Sequence, residues 1–380
     1  MDRNRKVMII AGEASGDNHG ARLVRGMQSL EPGLDFFGIG GNALRQAGVR
    51  IRVDNSQIAV VGISEAFSKL GVLLDALRVA KEDLKKNRPG LLIVIDFPDF
   101  NLRVATQAKK LGIPVMYYIS PQVWAWRTGR VKKIRKVVDH MVVIFPFEAA
   151  FYEKWHVPVT FVGHPLLDGM TSGRCTEKTE NIGGNGLLIG LLPGSRNEEV
   201  TRLLPTMLLV AEILSERIPG ARFAVPVASS VDRAFVETIV EGAAAKVFIL
   251  SDRLQDILAE ASLVITASGT VTLEAAIAGA PMIIVYKMSP ISYWLGRCLV
   301  RVKHIGLVNL VAGKAVVPEL IQREASAENI AIHALQMLGD ENMLAEMRKQ
   351  LCRVAQSLGD PGASEQAAKV AIRLLSGNHK

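Results

Sequence analysis

The chain has little of what would hold a small or metal-stapled protein together. Its three cysteines, Cys175, Cys298 and Cys352, are odd in number and far apart, with no C-x-x-C among them. That excludes a disulfide framework or a structural zinc site and fits a reducing cytoplasm. No apolar run reaches the length of a membrane span, and the charged start Met1–Lys6 is followed only by VMIIA, too short for the core of a signal peptide. Internal repeats and low-complexity tracts are absent as well. A chain without a span, acting in the cytoplasm or at a membrane surface, is the expectation.

What is present is enough for two cores. At 380 residues the chain exceeds the size at which one hydrophobic core stops growing, and 49% hydrophobic against 22% charged residues describes a folded protein. The formal net charge of +8 favours an anionic partner: nucleic acid, a phosphorylated metabolite or an anionic membrane.

Short apolar runs alternate with helix-patterned stretches: VMIIA (7–11), LLIVI (91–95), VMYYI (115–119), MVVIF (141–145), LLIGLL (187–192), FAVPVA (223–228), LVITA (263–267) and MIIVY (282–286). Runs of this length bounded by Gly, Pro or polar residues read as buried parallel strands, giving an α/β protein of two doubly wound, Rossmann-like halves. The Gly-, Thr- and charge-rich stretch 168–185 reads as a linker. It separates an N-terminal domain, 1–167, from a C-terminal domain, 186–350. Helices in 351–380 are expected to pack back on the N-terminal domain or on a partner protomer.

In open α/β sheets ligands sit beyond the carboxyl ends of the strands, so the loops after the apolar runs carry the chemistry. LLIGLL is followed by Pro193-Gly194-Ser195-Arg196. Ser195 and Glu198 have capping-box spacing, which explains those two residues without a ligand. It does not explain Arg196, a cation at the positive end of a helix dipole; an anion there, held by helix N–H groups and the guanidinium fork, would. LVITA is followed by Ser268-Gly269-Thr270, which could meet a diphosphate, with Glu274 one turn later positioned for ribose hydroxyls. A capped core helix is the alternative. Gly38-Ile39-Gly40-Gly41-Asn42-Ala43 matches the dinucleotide fingerprint formally, but only FF precedes it and Asp54 is too close to serve as its acid. No Walker A sequence exists, and no two aspartates are separated by a single residue, so no D-x-D metal clamp is available; no metal and no cofactor are expected.

In the first half, Gly12-Glu13-Ala14-Ser15-Gly16-Asp17 follows VMIIA, with Ser15 or Asp17 as candidate caps. Asp99 lies in a proline-containing loop after LLIVI, where partial desolvation would suit a general base; Asp96, Glu13 and His19 are rivals, and a helix cap is the alternative. Trp124 and Trp126 precede the basic run Arg127, Arg130, Lys132, Lys133, Arg135 and Lys136. No RNP, KH or zinc-knuckle pattern accompanies them, so nucleic acid is not the expected partner; an anionic lipid surface or a plain solvated helix face are the alternatives. Ile58–Lys86 and Pro290–His304 mix apolar and basic residues in a way that suits either a membrane interface or a helix buried between domains or subunits.

Taken in order, GEASGD (12–17), FPDFN (97–101), YYISPQVWAWR (117–127), FPFE (145–148), FVGHPLLD (161–168), LPGSR (192–196), SGTVTLEAAIAGAPMIIVYK (268–287), GLVNL (306–310) and VPELIQ (317–322) make the chain resemble the lipid-A-disaccharide synthases along almost its whole length. The resemblance implies an inverting, metal-independent glycosyltransferase of GT-B type. It would condense UDP-2,3-diacylglucosamine with 2,3-diacylglucosamine 1-phosphate as a homodimer, peripheral at the cytoplasmic face of the bacterial inner membrane. Another metal-independent UDP-sugar transferase or epimerase of the same architecture is the alternative. The resemblance implies a catalytic Asp99 taking the proton of the acceptor's 6-hydroxyl, and Arg196 neutralising the departing diphosphate. Ser195, Glu199, Ser268, Gly269, Thr270, Thr272, Glu274, Asn309, Glu319 and Gln322 would serve the donor. Glu13, Ser15, Gly16, Asp17, Asn101, Gln122 and Trp124 would serve the acceptor.

Overall fold

In the computed structural model the described residues are 5–58, 70–126, 128–169, 182, 186–288 and 303–377. Residues 59–69 and 290–302, which make up much of the two stretches proposed to face lipid, lie outside them, as do Arg127 and most of the expected linker. The chain divides into two units, 1–171 with 358–380, and 172–357.

The first unit is built on a seven-stranded, all-parallel sheet. Its strands are β1 (Lys6–Ala11), β2 (Asp35–Gly40), β3 (Arg50–Asp54), β4 (Leu91–Ile95), β5 (Val115–Tyr118), β6 (His140–Val143) and β7 (Val159–Phe161). They lie in the order β3-β2-β1-β4-β5-β6-β7, so the winding reverses between β1 and β4. All five side chains of β4, LLIVI, are 0% exposed, as a strand covered on both faces requires. Burying each contributes about 1.5–3 kcal/mol, and a carboxylate at Ile93 would break the strand. β2 approaches β1 so closely that a Cβ on Gly38 would stand 1.9 Å from the Ile9 carbonyl oxygen, which only glycine permits.

The chain's last helix, Ala363–Leu375, belongs to this unit and packs on the helix Ala14–Leu30. Small residues allow the approach: a Cβ on Gly26 would lie 3.2 Å from that of Ala368. Asp168 fixes the helix start. Its carboxylate accepts from the backbone of Gly362 (2.7 Å), Ala363 (2.9 Å) and Ser364 (3.1 Å) and from the Ser364 hydroxyl (2.9 Å). Partial burial opposes ionisation of Asp168, and these hydrogen bonds overcome it, holding its pKa below the usual carboxylate range. Composition places Asp168 in the linker; the structure makes it the cap of a helix too distant in sequence for any local pattern to reveal.

The second unit carries a six-stranded parallel sheet of β8 (Leu188–Leu192), β9 (Arg222–Val227), β10 (Val247–Ser251), β11 (Leu263–Ala267), β12 (Met282–Tyr286) and β13 (Glu319–Ile321). The order is β10-β9-β8-β11-β12-β13, with the reversal between β8 and β11. Among the described residues no helix is long and apolar enough to cross a membrane.

Candidate active site

Each sheet opens a crevice where its strand order reverses, because the connections leaving the two central strands there turn to opposite sides. In the second unit that crevice is bordered by the loops after β8 and β11. Gly194, at φ 120°, turns the first loop, and a Cβ on it would lie 2.2 Å from the Glu199 carboxylate. Glu199 folds back to accept from the Ser195 N–H (3.0 Å) and from the Arg196 guanidinium (3.3 Å). The expected Ser195–Glu198 capping box does not form. The helix runs Asn197–Arg217 with Arg196 as its N-cap, so it is Glu199 that reaches back over the turn. The Arg196 side chain is 77% exposed and stands over the helix start.

On the neighbouring loop, Gly269 has open space on its Cβ side, and its carbonyl accepts from the buried Thr272 hydroxyl (2.8 Å). Thr270 is exposed as the N-cap of Val271–Ala278. Ser268 donates to the Ile305 carbonyl (3.2 Å). Glu274, one turn in, accepts from Gln255 (2.9 Å), and burial raises its pKa.

Asn309, Glu319 and Gln322 act through the backbone. Asn309 is fully buried; its amide donates to the Val317 carbonyl (2.9 Å) and Glu319 (2.7 Å) and accepts from the N–H groups of Val316 (2.7 Å) and Val317 (3.1 Å). Glu319 in turn accepts from Ile305 (2.8 Å) and Gly306 (3.1 Å), and Gln322 makes both backbone hydrogen bonds of Met288. Asn309 and Glu319 thus brace the backbone at Ile305, the Ser268 partner, whereas Gln322 holds Met288 just beyond β12.

The crevice of the first unit is bordered by the loops after β1 and β4. Gly12 is required there, since a Cβ on it would lie 2.5 Å from the Phe97 ring. Asp96 and Phe97 are consecutive left-handed residues, φ 48° and 47°, a sparsely populated conformation for non-glycine residues. The Asp96 carbonyl is clamped by Asn101 (2.6 Å) and the Tyr117 hydroxyl (2.5 Å), and Asn101, wholly buried, also holds the Ile95 carbonyl (3.0 Å). Burial, followed by the charge of Glu13, lifts the Asp96 pKa to about 7. Asp99 is placed otherwise. Its side chain is 74% exposed and ion-paired with Arg130, so the expected desolvation belongs to Asp96 instead.

The remaining acceptor-side candidates divide. Glu13 and Ser15 are exposed at the start of Ala14–Leu30, and Gly16 packs against Ile95. Asp17 does not cap its own helix. Its buried carboxylate accepts from Gly41 (2.6 Å), Ala43 (2.8 Å) and Leu44 (3.4 Å), at the start of the helix Asn42–Gln46. The first three residues of the formal dinucleotide fingerprint, Gly38 to Gly40, lie inside β2 and do not form a loop after it, and the N–H groups of Gly41, Ala43 and Leu44 are taken by this carboxylate. Gln122 is exposed; Trp124 donates to Glu148 (3.0 Å), whose other oxygen accepts from the Phe145 N–H (3.2 Å). Burial raises Glu148 to about 7. Glu148 was not singled out from sequence, although it stands three residues into FPFE, at capping-box spacing from Phe145. His19, a rival base, is lowered to about 4 by burial first and then by Arg22.

Among the described residues no group of three or more His, Cys, Asp or Glu converges as a metal site. A family model for lipid-A-disaccharide synthetase matches residues 7–373. The chain is 48% identical over 377 residues to the lipid-A-disaccharide synthase of Geobacter metallireducens, covering 98% of each chain. It is 47% identical to that of Geobacter sulfurreducens, covering 97% of each. Among solved structures, MurG of Acinetobacter baumannii superposes with a TM-score of 0.60 at 18% identity, over 97% of this chain and 99% of that one. The UDP-GlcNAc 2-epimerase of Neisseria meningitidis, bound to UDP-GlcNAc, gives 0.61 at 12% identity over 97% and 100%. At such identities the likeness concerns the fold alone, the two-sheet GT-B architecture.

Proposed function

The chain belongs to the lipid-A-disaccharide synthetase family, and from that premise we propose how its residues divide the work of the reaction. The enzyme is a glycosyltransferase of lipid A biosynthesis: it condenses UDP-2,3-diacylglucosamine with 2,3-diacylglucosamine 1-phosphate to the β(1→6) disaccharide 1-phosphate and UDP.

The second unit takes the nucleotide. Ser268, Gly269 and Thr270 offer hydroxyls and backbone N–H groups to the diphosphate, Arg196 supplies the cation that offsets charge developing on the leaving oxygen, and Glu274 accepts from the ribose. Ser195, Glu199 and Thr272 shape those loops, while Asn309 and Glu319 hold the Ser268 partner from behind and Gln322 holds Met288. In the first unit Asp96 is the base. The acceptor's 6-hydroxyl oxygen forms the bond to the anomeric carbon, the bond to UDP breaks on the opposite face, and the proton passes to the Asp96 carboxylate. The observation that carries this choice is the contrast between Asp96, enclosed at the strand reversal with a pKa of about 7, and Asp99, exposed in an ion pair. Burial, and after it the charge of Glu13, keeps that pKa high; Ser15, Gln122 and Trp124 are left for the acceptor.

Peripheral attachment to the cytoplasmic face of the inner membrane is supported by the helix Leu70–Asn87. It exposes Val72 and Leu74 and lines a groove with Leu74, Leu77, Arg78, Lys81 and Lys85 and one acid, Glu82. A homodimer is proposed on the family resemblance alone.

The test is turnover of the two diacyl substrates in detergent with EDTA, UDP and disaccharide being followed by mass spectrometry. Product from wild type, loss in Asp96→Asn and Arg196→Ala, and survival in Asp99→Asn support the assignments. Loss in Asp99→Asn with survival in Asp96→Asn returns the base to Asp99. UDP released without any lipid acceptor would sink the transferase reading.

A further inference from the structure

Arg130 closes a short 3-10 turn, Thr128–Arg130, and caps the helix Val131–Val137. Its sequence neighbours make it one cation among many, but its surroundings set it apart. Only 18% of its side chain is exposed, whereas the carboxylate it pairs with, Asp99, is 74% exposed. The guanidinium carbon stands 5.9 Å from the centre of the Trp126 ring, a cation–π seat. Of its five N–H donors one hydrogen bond goes to Asp99, and among the described residues no second acceptor engages it. An embedded cation served by one outward-lying acid has donors in reserve.

Its place in the unit gives those donors a purpose. Asp99 is three residues beyond Asp96, at the start of the helix Pro98–Lys110. The buried Tyr117, which holds the Asp96 carbonyl, is pushed well above its ordinary pKa by burial, then by the charges of Asp96 and Tyr152; Asn101 and Arg130 pull it back. Asp96 and Arg130 thus act on the same phenol. Lys132, Lys133, Arg135 and Lys136 follow with no acid in the same helix, so the local field favours an anion of more than one charge. The diphosphate of the donor is assigned to the other unit. What remains is the phosphate of the acceptor.

We propose that Arg130 recognises the phosphate monoester of the sugar acceptor, seated against Trp126 and paired with Asp99 until the phosphate displaces that carboxylate. The proposal rests on the reaction assigned above. A phosphate accepts two parallel N–H bonds from a guanidinium and carries more charge than a carboxylate, so it outcompetes an exposed aspartate. An acceptor anchored at its phosphate presents its far hydroxyl to Asp96.

The experiment compares 2,3-diacylglucosamine 1-phosphate with 2,3-diacylglucosamine lacking the phosphate, in wild type, Arg130→Ala and Arg130→Lys. Kinetics and direct calorimetric binding are read in parallel. Arg130→Ala is expected to lose roughly 10- to 100-fold in kcat/KM and in binding for the phosphorylated acceptor, with the loss in KM, and to bind the other acceptor as wild type does. Arg130→Lys falls between, keeping the charge without the fork. Donor KM stays unchanged in both. Equal losses on the two acceptors, or none, overturn the proposal. A drop in binding to phosphatidylglycerol vesicles with acceptor preference intact also overturns it, assigning the cation to the membrane surface. The two readings fail separately: wild type that binds the phosphorylated acceptor through Arg130 without forming disaccharide keeps the subsite and loses the reaction.

Discussion

The two crevices have the same topology and opposite arrangements of polar groups. In the second unit the polar side chains behind the site are satisfied by one another and by backbone, as in the chain Asn309–Glu319–Ile305. Its loops are thereby fixed, and what they present outward is hydroxyls, N–H groups and Arg196. In the first unit the opposite is arranged: a carboxylate is enclosed near another acid, on a backbone held in a left-handed turn. A site that stabilises a leaving group gains from fixed dipoles, whereas a site that removes a proton near neutrality needs a carboxylate made unstable as an anion. The division of work proposed above asks for both, and one fold can meet both demands by differing in its loops.

The sharpest break of that comparison is Asp96→Asn. A general base contributes on the order of 10²- to 10⁴-fold, so kcat is expected to fall by about 10³. With Asp96 as the proposed base, wild-type activity is expected to rise with pH through about 7 as the carboxyl loses its proton, and the variant is expected to lack that limb. The stability sign is opposite. A carboxyl group whose folded pKa is raised stabilises the fold below its unfolded value of about 4 and loses that contribution as pH rises through 7. Asp96→Asn should therefore gain stability over wild type at pH 8, by up to a few kcal/mol, and not at pH 4. A variant equally inactive but destabilised at pH 8 would contradict an acid whose charge is held partly out of water.

In the second unit Arg196→Ala is expected to cost about 10² in kcat, the scale of removing one preorganised donor from developing charge, with little change in Tm because the side chain is exposed. Asn309→Ala should do the reverse. It strips partners from Val316, Val317 and Glu319, so about 2–4 kcal/mol of stability is lost and donor KM rises while acceptor KM holds. Calorimetry with donor-dependent kinetics checks both. A large kcat loss in Asn309→Ala at unchanged Tm would mean that Asn309 touches the donor itself.

The same contrast explains what could be read from sequence. The eight apolar runs all became strands, β1, β4, β5, β6, β8, β9, β11 and β12, because strands covered on both faces have to be continuously apolar. Four strands that were not read, β3, β7, β10 and β13, are the edges of the two sheets, where RIRVD or ELI suffices. β2 escaped because Gly38 and Gly40 interrupt its apolar pattern. The positions of Arg196 and Ser268–Thr270 at strand ends were legible because they closely follow apolar runs. Asp17, Asp168 and Asn309 find their partners across the fold, and no local spacing reveals that. Asp96 and Asp99 look alike in sequence; what separates them is the Phe97 ring over Gly12 and the ion pair from Arg130.

The smallest effect lies where the first unit braces itself, and it tests whether burial of charge there is confined to the acid. Phe145 packs on His164, with ring centres 5.0 Å apart, and the His164 Nδ1 accepts from the Leu166 N–H (3.2 Å), so the ring is held neutral. Burial first, then His19, lowers its pKa to about 4. A histidine whose folded pKa is depressed leaves stability intact above its unfolded value of about 6.5. As pH falls from 6.5 toward 4 the unfolded chain takes up the proton first, and stability is lost. His164→Asn keeps an acceptor for Leu166 and cannot titrate. It should cost about 1 kcal/mol at pH 8 through lost packing, and at pH 5 the balance should move by about 1–2 kcal/mol in favour of the variant, so that the gap closes or reverses. Denaturant melts of both proteins at the two pH values measure it. A gap that stays constant would mean that His164 titrates alike folded and unfolded, and that its ring is not held neutral by burial.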